Sequence, residues 1–520
     1  MEEGMTRSSA SRNPQSDRPL ASLAIGVAAF LLASCAVGPR FRAPEAPTVA
    51  DASHPYTPGP LPGTTDSAPG AGGGAAQRFV NGQTVPADWW TLFHSEPLDR
   101  LLRAAVAQSP TVASAQAALR EAKEAYAAGF GNSFLPSVSA QVGGARERVS
   151  EAAFGLSGGS LFTLYNASVD VSYAPDVFGG ARRGQEGLGA ARDFQRFEVE
   201  AAYLSLSANL VTTAIQDASL RAQVRVTREL VSADSQALVI AQKQGALGAV
   251  ALSTVLAQET ALAQTEATLP VLENALAQTR HLLAVYAGRL PSDTELPEFD
   301  LDSLELPAEL PVSLPSSLVR QRPDVCASEA ILHEASAQIG VATANLLPQI
   351  TLSGSGGWEG VSLSTLVSAP NEVWSLGAGV LQPIFHGGAL RAKRREAVAA
   401  FDAARAQYQQ TVLNAFLNVA DALRALDADA QTLRAQAAAD SLAHRSYNLV
   451  ADQFRLGAVS YLALLDAQRS YSATRIALVQ ARAARYADTA ALFTALGGGW
   501  WNRTDTERAA PDTETPAPRR

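Results

Sequence analysis

The 520-residue chain is short of cysteine, of excess positive charge and of long apolar runs, and each shortage removes a class of protein. Its 2 cysteines are Cys35 and Cys326. If Cys35 is acylated, as argued below, no internal disulfide can form even in an oxidising compartment, and Cys326 reads as a small buried residue. With 41 basic against 50 acidic residues there is no polycationic surface, so nucleic acid is not an expected partner. After Cys35 no apolar run reaches the roughly 18 residues that a spanning helix needs, so any membrane crossing falls to strands. The 6 histidines, at positions 54, 94, 281, 333, 386 and 444, include no pair at metal-ligand spacing. No Gly-x-Ser-x-Gly elbow and no phosphate loop with lysine occurs either. The expectation is a chain without enzymatic activity, metal or cofactor.

What is present starts near the N-terminus. An apolar run from Leu20 to Leu32 follows Arg7, Arg12 and Arg18 and closes in Leu32-Ala33-Ser34-Cys35. A basic start, an apolar segment too short to span and small residues before a cysteine read as a lipoprotein signal peptide over residues 1–34. The thiol would take a diacylglycerol before cleavage, leaving Cys35, N-acylated and S-diacylglycerol-modified, as the first mature residue on a bacterial membrane. Ala36 in the next position favours the outer membrane. The alternative is an ordinary leader with a chance cysteine. Residues 35–85 read as a lipidated N-terminus and flexible Pro/Gly-rich leash containing Gly70-Ala71-Gly72-Gly73-Gly74. Residues 500–520, polar and with three prolines, read as a disordered tail.

Between these ends the chain repeats itself. Pro110-Thr111-Val112 and Leu135-Pro136-Ser137-Val138 recur as Pro323-Asp324-Val325 and Leu347-Pro348-Gln349-Ile350. Pro175 to Ala181 recurs as Pro383 to Ala389, and Gly248-Ala249-Val250 as Gly457-Ala458-Val459. An offset held near 210 residues across four landmarks marks a duplication far longer than a solenoid repeat. The halves are 86–300, with strands near 134–146 and 164–178 and a helical hairpin tip near 248, and 301–499, with strands near 347–358 and 373–385 and a tip near 457. In the second half Val412, Phe416, Val419, Leu423, Leu426, Ala430, Leu433 and Ala437 step by four and three, a coiled-coil seam. Ser472, Ile476, Val479, Ala483, Tyr486, Ala490 and Phe493 return it. The proline-free stretch from Gly388 to Leu456 would make a helix of about 100 Å. Periodicity alone leaves a plain antiparallel coiled coil open.

The strand candidates argue for more. Ser137 to Val142, Ser168 to Tyr173 and Ile350 to Ser353 alternate polar with apolar, and Phe134, Phe162, Tyr165, Phe178, Trp358, Trp374 and Phe385 cluster near strand ends. Such aromatics suit either a membrane girdle or a soluble core. Open sheet edges are not tolerated in lipid and four strands cannot close a barrel, so a membrane reading requires several chains to share one. Three copies would supply twelve strands above a tube of twelve long helices.

These residues resemble the outer-membrane efflux lipoproteins of the OprM and NodT type, relatives of the TolC channel. The likeness is carried by Cys35-Ala36-Val37-Gly38-Pro39, Trp89-Trp90 with Phe93 and Pro97-Leu98, and Arg322-Pro323-Asp324-Val325 followed by Ala337 to Ala342. It continues through Gln382 to Gly388 with Leu390-Arg391-Ala392, and Leu464 to Arg469. The resemblance implies a mainly α fold with a small membrane β part. Three chains with an internal two-fold repeat would form a homotrimeric α-helical barrel of long coiled-coil helices joined to a 12-stranded β-barrel, four strands per chain. It implies an exit duct in the outer membrane, passive and without catalysis. Its partners would be outer-membrane lipid, a periplasmic membrane-fusion (adaptor) protein and an inner-membrane transporter of the RND type.

Three sites carry over by position. Cys35 matches the acylated cysteine. Gly248, Ala249, Val250, Ala251 and Gly457, Ala458, Val459, Ser460 match the adaptor-docking hairpin tips. Asp466 matches an acid at the periplasmic gate, where three carboxylates on one axis would favour cations. The plainer readings are glycines that only reverse the chain and a surface Asp466 paired with Arg469 or Arg455. Some relatives carry a second acid where this chain has Ala463, and the first repeat offers Ala257 opposite Asp466. A rival class is a periplasmic structural coiled-coil lipoprotein without a pore. Within the duct class, metal ions, aromatic acids, secreted protein and drugs all remain as cargo.

Overall fold

The computed structural model describes residues 36–45, 56–150, 159–293, 295–313 and 315–503. The signal peptide and Cys35 lie outside the described residues, as do 46–55 and 504–520. The elements in chain order are β1 (Arg78–Asn81), α1 (Glu96–Gln108), α2 (Pro110–Phe134), β2 (Ser137–Ser150), β3 (Gly159–Tyr173), α3 (Gly180–Ala246) and α4 (Leu252–Tyr286). Then come β4 (Glu309–Val312), α5 (Pro315–Gln321), α6 (Pro323–Ala344), β5 (Gln349–Gly360), β6 (Glu372–Leu381), α7 (Ala389–Arg455) and α8 (Tyr461–Ala495). The chain falls into two compact units.

The first unit comprises residues 1–43, 121–192 and 330–405 and holds an antiparallel sheet in the order β2-β3-β5-β6. Its register sorts the side chains by face. Val138 opposes Val171 and Ala140 opposes Val169, while the intervening positions pair Ser139 with Asp170 and Ser137 with Ser172. Across the sheet, Val171 opposes Gly354, Gly354 opposes Leu376, and Gly356 opposes Trp374 on the apolar face; Ser353 and Ser355 oppose Ser172 and Asp170 on the other. The apolar face is bare: Val142 is 84% exposed, Trp374 74% and Leu376 80%. Among the described residues β2 and β6 each pair along one edge only. An uncovered apolar face with two open edges is unstable in water and is the expected surface of a barrel wall in lipid. The strands end earlier than the sequence pattern suggested, at Tyr173 rather than 178 and at Leu381 rather than 385, because Pro175 and Pro383 have no N–H to give the ladder. At the far end β2 and β3 zip further, to Ser150 opposite Gly159.

The second unit comprises residues 44–120, 193–329 and 406–520. The long helices α3 and α7 have the same length, 67 residues each, and the returning helices α4 and α8 have 35 residues each. At 1.5 Å per residue each long helix runs about 100 Å. Tertiary packing of the seam holds such helices: Val412, Val419, Leu423, Leu426, Ala430 and Leu433 are buried on α7, and Val479, Ala483, Tyr486, Ala490 and Phe493 on α8. Leu210, Val211, Ile215 and Val226 do the same on α3. The aromatic signature of the sequence is core here, Trp89 stacking on Phe493 at 5.5 Å and Phe93 meeting Tyr486 at 6.4 Å.

The segment expected to be a leash up to residue 85 is packed from Tyr56 onward. β1 lies parallel to β4, and Thr65, Ala68, Gln77 and Val85 are buried. Its glycines serve close approach rather than flexibility: Gly72 lies against Arg482 and Gly73 against the Tyr486 ring, where side chains would collide. The buried Arg485 ties it down, donating to the Thr65 side-chain Oγ1 at 3.0 Å and to the Ala75 backbone carbonyl at 2.7 Å. The start of the expected tail is also ordered, as a 3-10 turn Trp500–Asn502 in which Trp500 Nε1 donates to the Gln321 carbonyl at 2.6 Å.

Candidate functional site

The two hairpin tips are the same object built twice. α3 closes with Gly248 at φ 73, where Gly248 N–H bonds the Gly245 carbonyl and Ala249 N–H the Gln244 carbonyl. α7 closes with Gly457 at φ 72, with Gly457 N–H on Phe454 O and Ala458 N–H on Gln453 O. Both are Schellman caps, in which a left-handed residue satisfies the last carbonyls of a helix. Val250 and Val459 are half-buried, whereas Gly248, Ala249, Ala251, Gly457, Ala458 and Ser460 are exposed. The leucine before each glycine stands free, Leu247 at 85% and Leu456 at 84%. Ser460 caps the next helix through Ala463 N–H, while Ala251 cannot. Each tip thus presents an apolar knob on a rigid turn.

Asp466 is exposed and makes no ion pair among the described residues. Arg455 is engaged by Asp452, and Arg469 lies beside Asp234. The burial register corrects the pairing of the repeats at this point: Val255-Leu256-Ala257-Gln258 and Leu465-Asp466-Ala467-Gln468 share the pattern buried, exposed, half-buried, buried. Leu256, not Ala257, is the counterpart of Asp466. The second hairpin has one more residue between its glycine and the first buried position, which a constant offset hides.

Behind these surface positions lies a buried polar network that the sequence reading missed. Asp234 on α3 accepts from Thr265 Oγ1 at 2.7 Å and from Gln468 Nε2. Gln258 Nε2 donates to the Asp234 backbone carbonyl at 3.0 Å, and Tyr461 O–H donates to Gln258 Oε1 at 2.5 Å. Burial pushes the Asp234 carboxyl up, while the hydrogen bonds from Thr265 and Gln468 and the charge of Arg469 oppose the shift. A cavity of about 450 Å³ lies beside it, lined by Asp234, Thr265, Gln468 and Arg469. The repeated Ala-Gln at 257–258 and 467–468 was the one available sequence signal, since both glutamines converge on Asp234.

A second cluster sits further along the same helices. Asp429 on α7 meets Asp488 on α8 next to Arg485. Burial, then the hydrogen bond and charge of Asp488, push the Asp429 carboxyl up to about 7, with Arg485 opposing. A cavity of about 1090 Å³ opens between Trp89, Trp90, Arg103, Tyr203 and Trp500. Arg503 and Glu200 pair at its wall. Cys326 is half-buried, and burial with the neighbouring Glu329 and Asp324 pushes its thiol up to about 12, which leaves it unreactive. Among the described residues no group of acids, histidines or cysteines could hold a metal ion, and no helix is long and apolar enough to cross a membrane.

A family model described as outer membrane efflux protein matches residues 101–289 and 314–498, one segment in each repeat. The pyoverdine export outer membrane protein OpmQ of Pseudomonas aeruginosa is 32% identical over 427 residues, covering 79% of this chain and 87% of that protein. The antibiotic efflux pump outer membrane protein ArpC of Pseudomonas putida is 28% identical, covering 95% of this chain and 99% of the relative. Among solved structures, the outer-membrane channel OprN superposes with a TM-score of 0.79 at 26% identity, covering 90% of this chain and all of that one.

Proposed function

The chain belongs to the outer membrane efflux protein family, and we propose that it forms the passive exit duct for small organic molecules in a three-component pump. It is an outer-membrane efflux channel with a large periplasmic part. The single observation that carries the finer reading is the sheet with one bare apolar face and two unpaired edges. Such a sheet satisfies its backbone in lipid only when further copies close it, and three copies give the twelve strands of a barrel. The paired hairpins then become a helical barrel whose tips, around Gly248 and Gly457, meet an adaptor joined to an RND-type transporter. Cys35 carries the lipid, and Asp466 contributes a ring of three carboxylates that prefers cations at the narrow end. The named cargo of two relatives, pyoverdine for one and antibiotics for the other, supports small organic molecules as cargo.

Drug and dye accumulation in a deletion strain, complemented with the intact chain, tests this reading. Complementable sensitivity to several unrelated compounds is the expected result, and sensitivity confined to one class would restrict the duct to that class. Purified protein without conductance in planar bilayers would return the chain to the pore-free coiled-coil class.

A further inference from the structure

The walls of the cavity of about 1090 Å³ all belong to the second unit, drawn from the chain around Trp89, from α1, α3 and β4, and from the turn after α8. Trp89 stacks on Phe493 and meets the Trp90 ring edge to face at 6.2 Å, with planes 77° apart, so two indoles at nearly right angles form one corner. Glycines shape the wall after α8. A Cβ on Gly498, which has φ +68, would lie 2.4 Å from Leu204 Cδ1 and 3.6 Å from Trp89 Nε1, and a Cβ on Gly499 would lie 2.2 Å from the Pro86 carbonyl oxygen. The turn therefore lies close against α3 and Pro86 and leaves the edge of the Trp89 ring uncovered by a side chain. The charged groups around the cavity are matched among themselves. Arg103 lies 3.0 Å from Asp99 and 3.7 Å from Asp88, Arg503 pairs with Glu200, Arg78 with Glu309, and His94 Nδ1 stands 3.4 Å from Glu305. Several neutral groups are committed too: Trp90 Nε1 donates to Asp99 at 2.9 Å, Ser207 Oγ to the Leu204 carbonyl at 2.9 Å and Asn502 Nδ2 to the Val85 carbonyl at 2.6 Å. Two ring donors are left over. The Tyr203 hydroxyl accepts from Gln116 Nε2 at 2.9 Å, and among the described residues neither its own proton nor the N–H of the fully buried Trp89 has an acceptor.

A space at the upper end of the range of small-molecule pockets, about 300–1,000 Å³, walled by aromatic rings and with its ion pairs closed, selects a narrow chemistry. A charged ligand would have to break one of those pairs to gain a partner. A hydrocarbon would leave the Tyr203 O–H and the Trp89 N–H unpaired in a site it had dried. We infer that this cavity is a binding site for uncharged aromatic molecules that carry a carbonyl oxygen, with the rings against the indoles of Trp89 and Trp90 and the oxygen accepting from Trp89 Nε1 and Tyr203 Oη. Trp89 is held by Phe493 and Tyr203 by Gln116, so both donors are set before a ligand arrives and little ordering is left to binding. The site involves neither the hairpin tips nor Asp466, and it stands whether or not the chain conducts. A bound molecule joins α1, α3 and the turn after α8, and it stabilises the second unit in proportion to its occupancy.

The test uses the full chain, purified into lipid nanodiscs and irradiated with benzophenone, an uncharged aromatic ketone that couples to its neighbours under ultraviolet light. Labelled peptides are then mapped by mass spectrometry. Label should fall on residues 83–106, 200–207 and 497–503 and should saturate with benzophenone concentration. Fluorenone should displace it, whereas fluorene, the same rings without the oxygen, and the anionic fluorenone-4-carboxylate should each need at least about tenfold more. Trp89→Phe, which keeps a ring against Phe493, and Tyr203→Phe should each weaken fluorenone by about two- to tenfold, the equilibrium factor of one neutral hydrogen bond, and leave fluorene unchanged. Label that is unsaturable or confined to other segments overturns the site. Fluorene or the carboxylate competing as well as fluorenone overturns the ligand class, and so do variants that bind fluorenone like the wild type. Should Trp89→Phe fail to fold, Tyr203→Phe decides the point by itself, because Tyr203 is only half-buried.

Discussion

The two repeats share a backbone and differ in their polar side chains. Both send out 67 helical residues, turn on a glycine near φ +72 and return 35. Yet each treats an acid on its long helix in its own way. The first buries Asp217 against two guanidinium groups, Arg221 at 2.8 Å and Arg280 at 3.7 Å. The second sets Asp429 against another carboxylate, Asp488, with Arg485 opposing, so that burial and the neighbouring acid push the Asp429 carboxyl up to about 7. The first presents Leu256 where the second presents Asp466. The shared backbone thus supplies length and turn, and the polar chemistry differs between the copies.

The residue that serves both copies should be the most costly to lose. Asp234 on the first long helix takes Gln468 from the second hairpin and Thr265 from the first. Asp234→Leu strands buried donors on both sides and should lower stability by about 2–3 kcal/mol, read by thermal unfolding of the detergent-solubilised protein. A loss under about 0.5 kcal/mol would mean that Gln468 and Thr265 find other partners and the repeats are held by their apolar seams alone.

The tips should respond alike. Gly248→Ala and Gly457→Ala each force a side chain into the left-handed region with no neighbour in reach, so the cost is backbone alone, about 1–2 kcal/mol. Equal losses uphold the symmetry of the caps. A difference above about 0.5 kcal/mol would break it and would point to the serine cap that only the second tip possesses.

The acid pairs should separate the repeats by pH. A carboxyl whose folded pKa is raised binds more protons folded than unfolded. Its contribution is therefore fully present below the unfolded value and falls as pH rises toward about 7. Asp429→Asn removes that penalty. The variant should gain about 1 kcal/mol over wild type at pH 8, a figure reduced for the partial exposure of the site, and nothing near pH 4. Asp217→Asn should instead destabilise at pH 8, because it leaves Arg221 and Arg280 without their buried partner. A pH-independent gain at Asp429 would mean that the pair carries no shared proton.

Much of this contrast was legible in the sequence, because prolines, glycines and apolar periodicity are local signals. The landmarks Pro175, Gly248, Pro383 and Gly457 stand where strands or helices stop, and the seam from Val412 to Leu433 is buried on α7. The strap at 56–85 was not legible, since the composition that makes a linker flexible also lets a backbone lie flat against Arg482 and Tyr486. Nor was the Asp234 network, whose partners Gln258 and Gln468 lie 24 and 234 residues away along the chain. The register of Asp466 failed by one residue, because an offset read from the turn does not carry across the extra residue that follows it.

That one-residue correction sharpens the smallest effect on stability and the most direct test of the gate. Leu256 and Asp466 are both exposed, so exchanging their character should move stability by less than about 0.5 kcal/mol. On the proposed ring of three carboxylates, Asp466→Ala should lower the cation-over-anion preference of single channels in planar bilayers, because negative charge is removed from the pore. Leu256→Asp should raise the preference by adding a second ring at matching positions, whereas Ala257→Asp, half-buried beside the helix packing, should not. Selectivity that follows position 256 would establish that the two hairpins line one pore in the register their burial pattern sets. Selectivity that follows position 257 would restore the constant offset, and selectivity indifferent to Asp466 would take that carboxylate out of the gate.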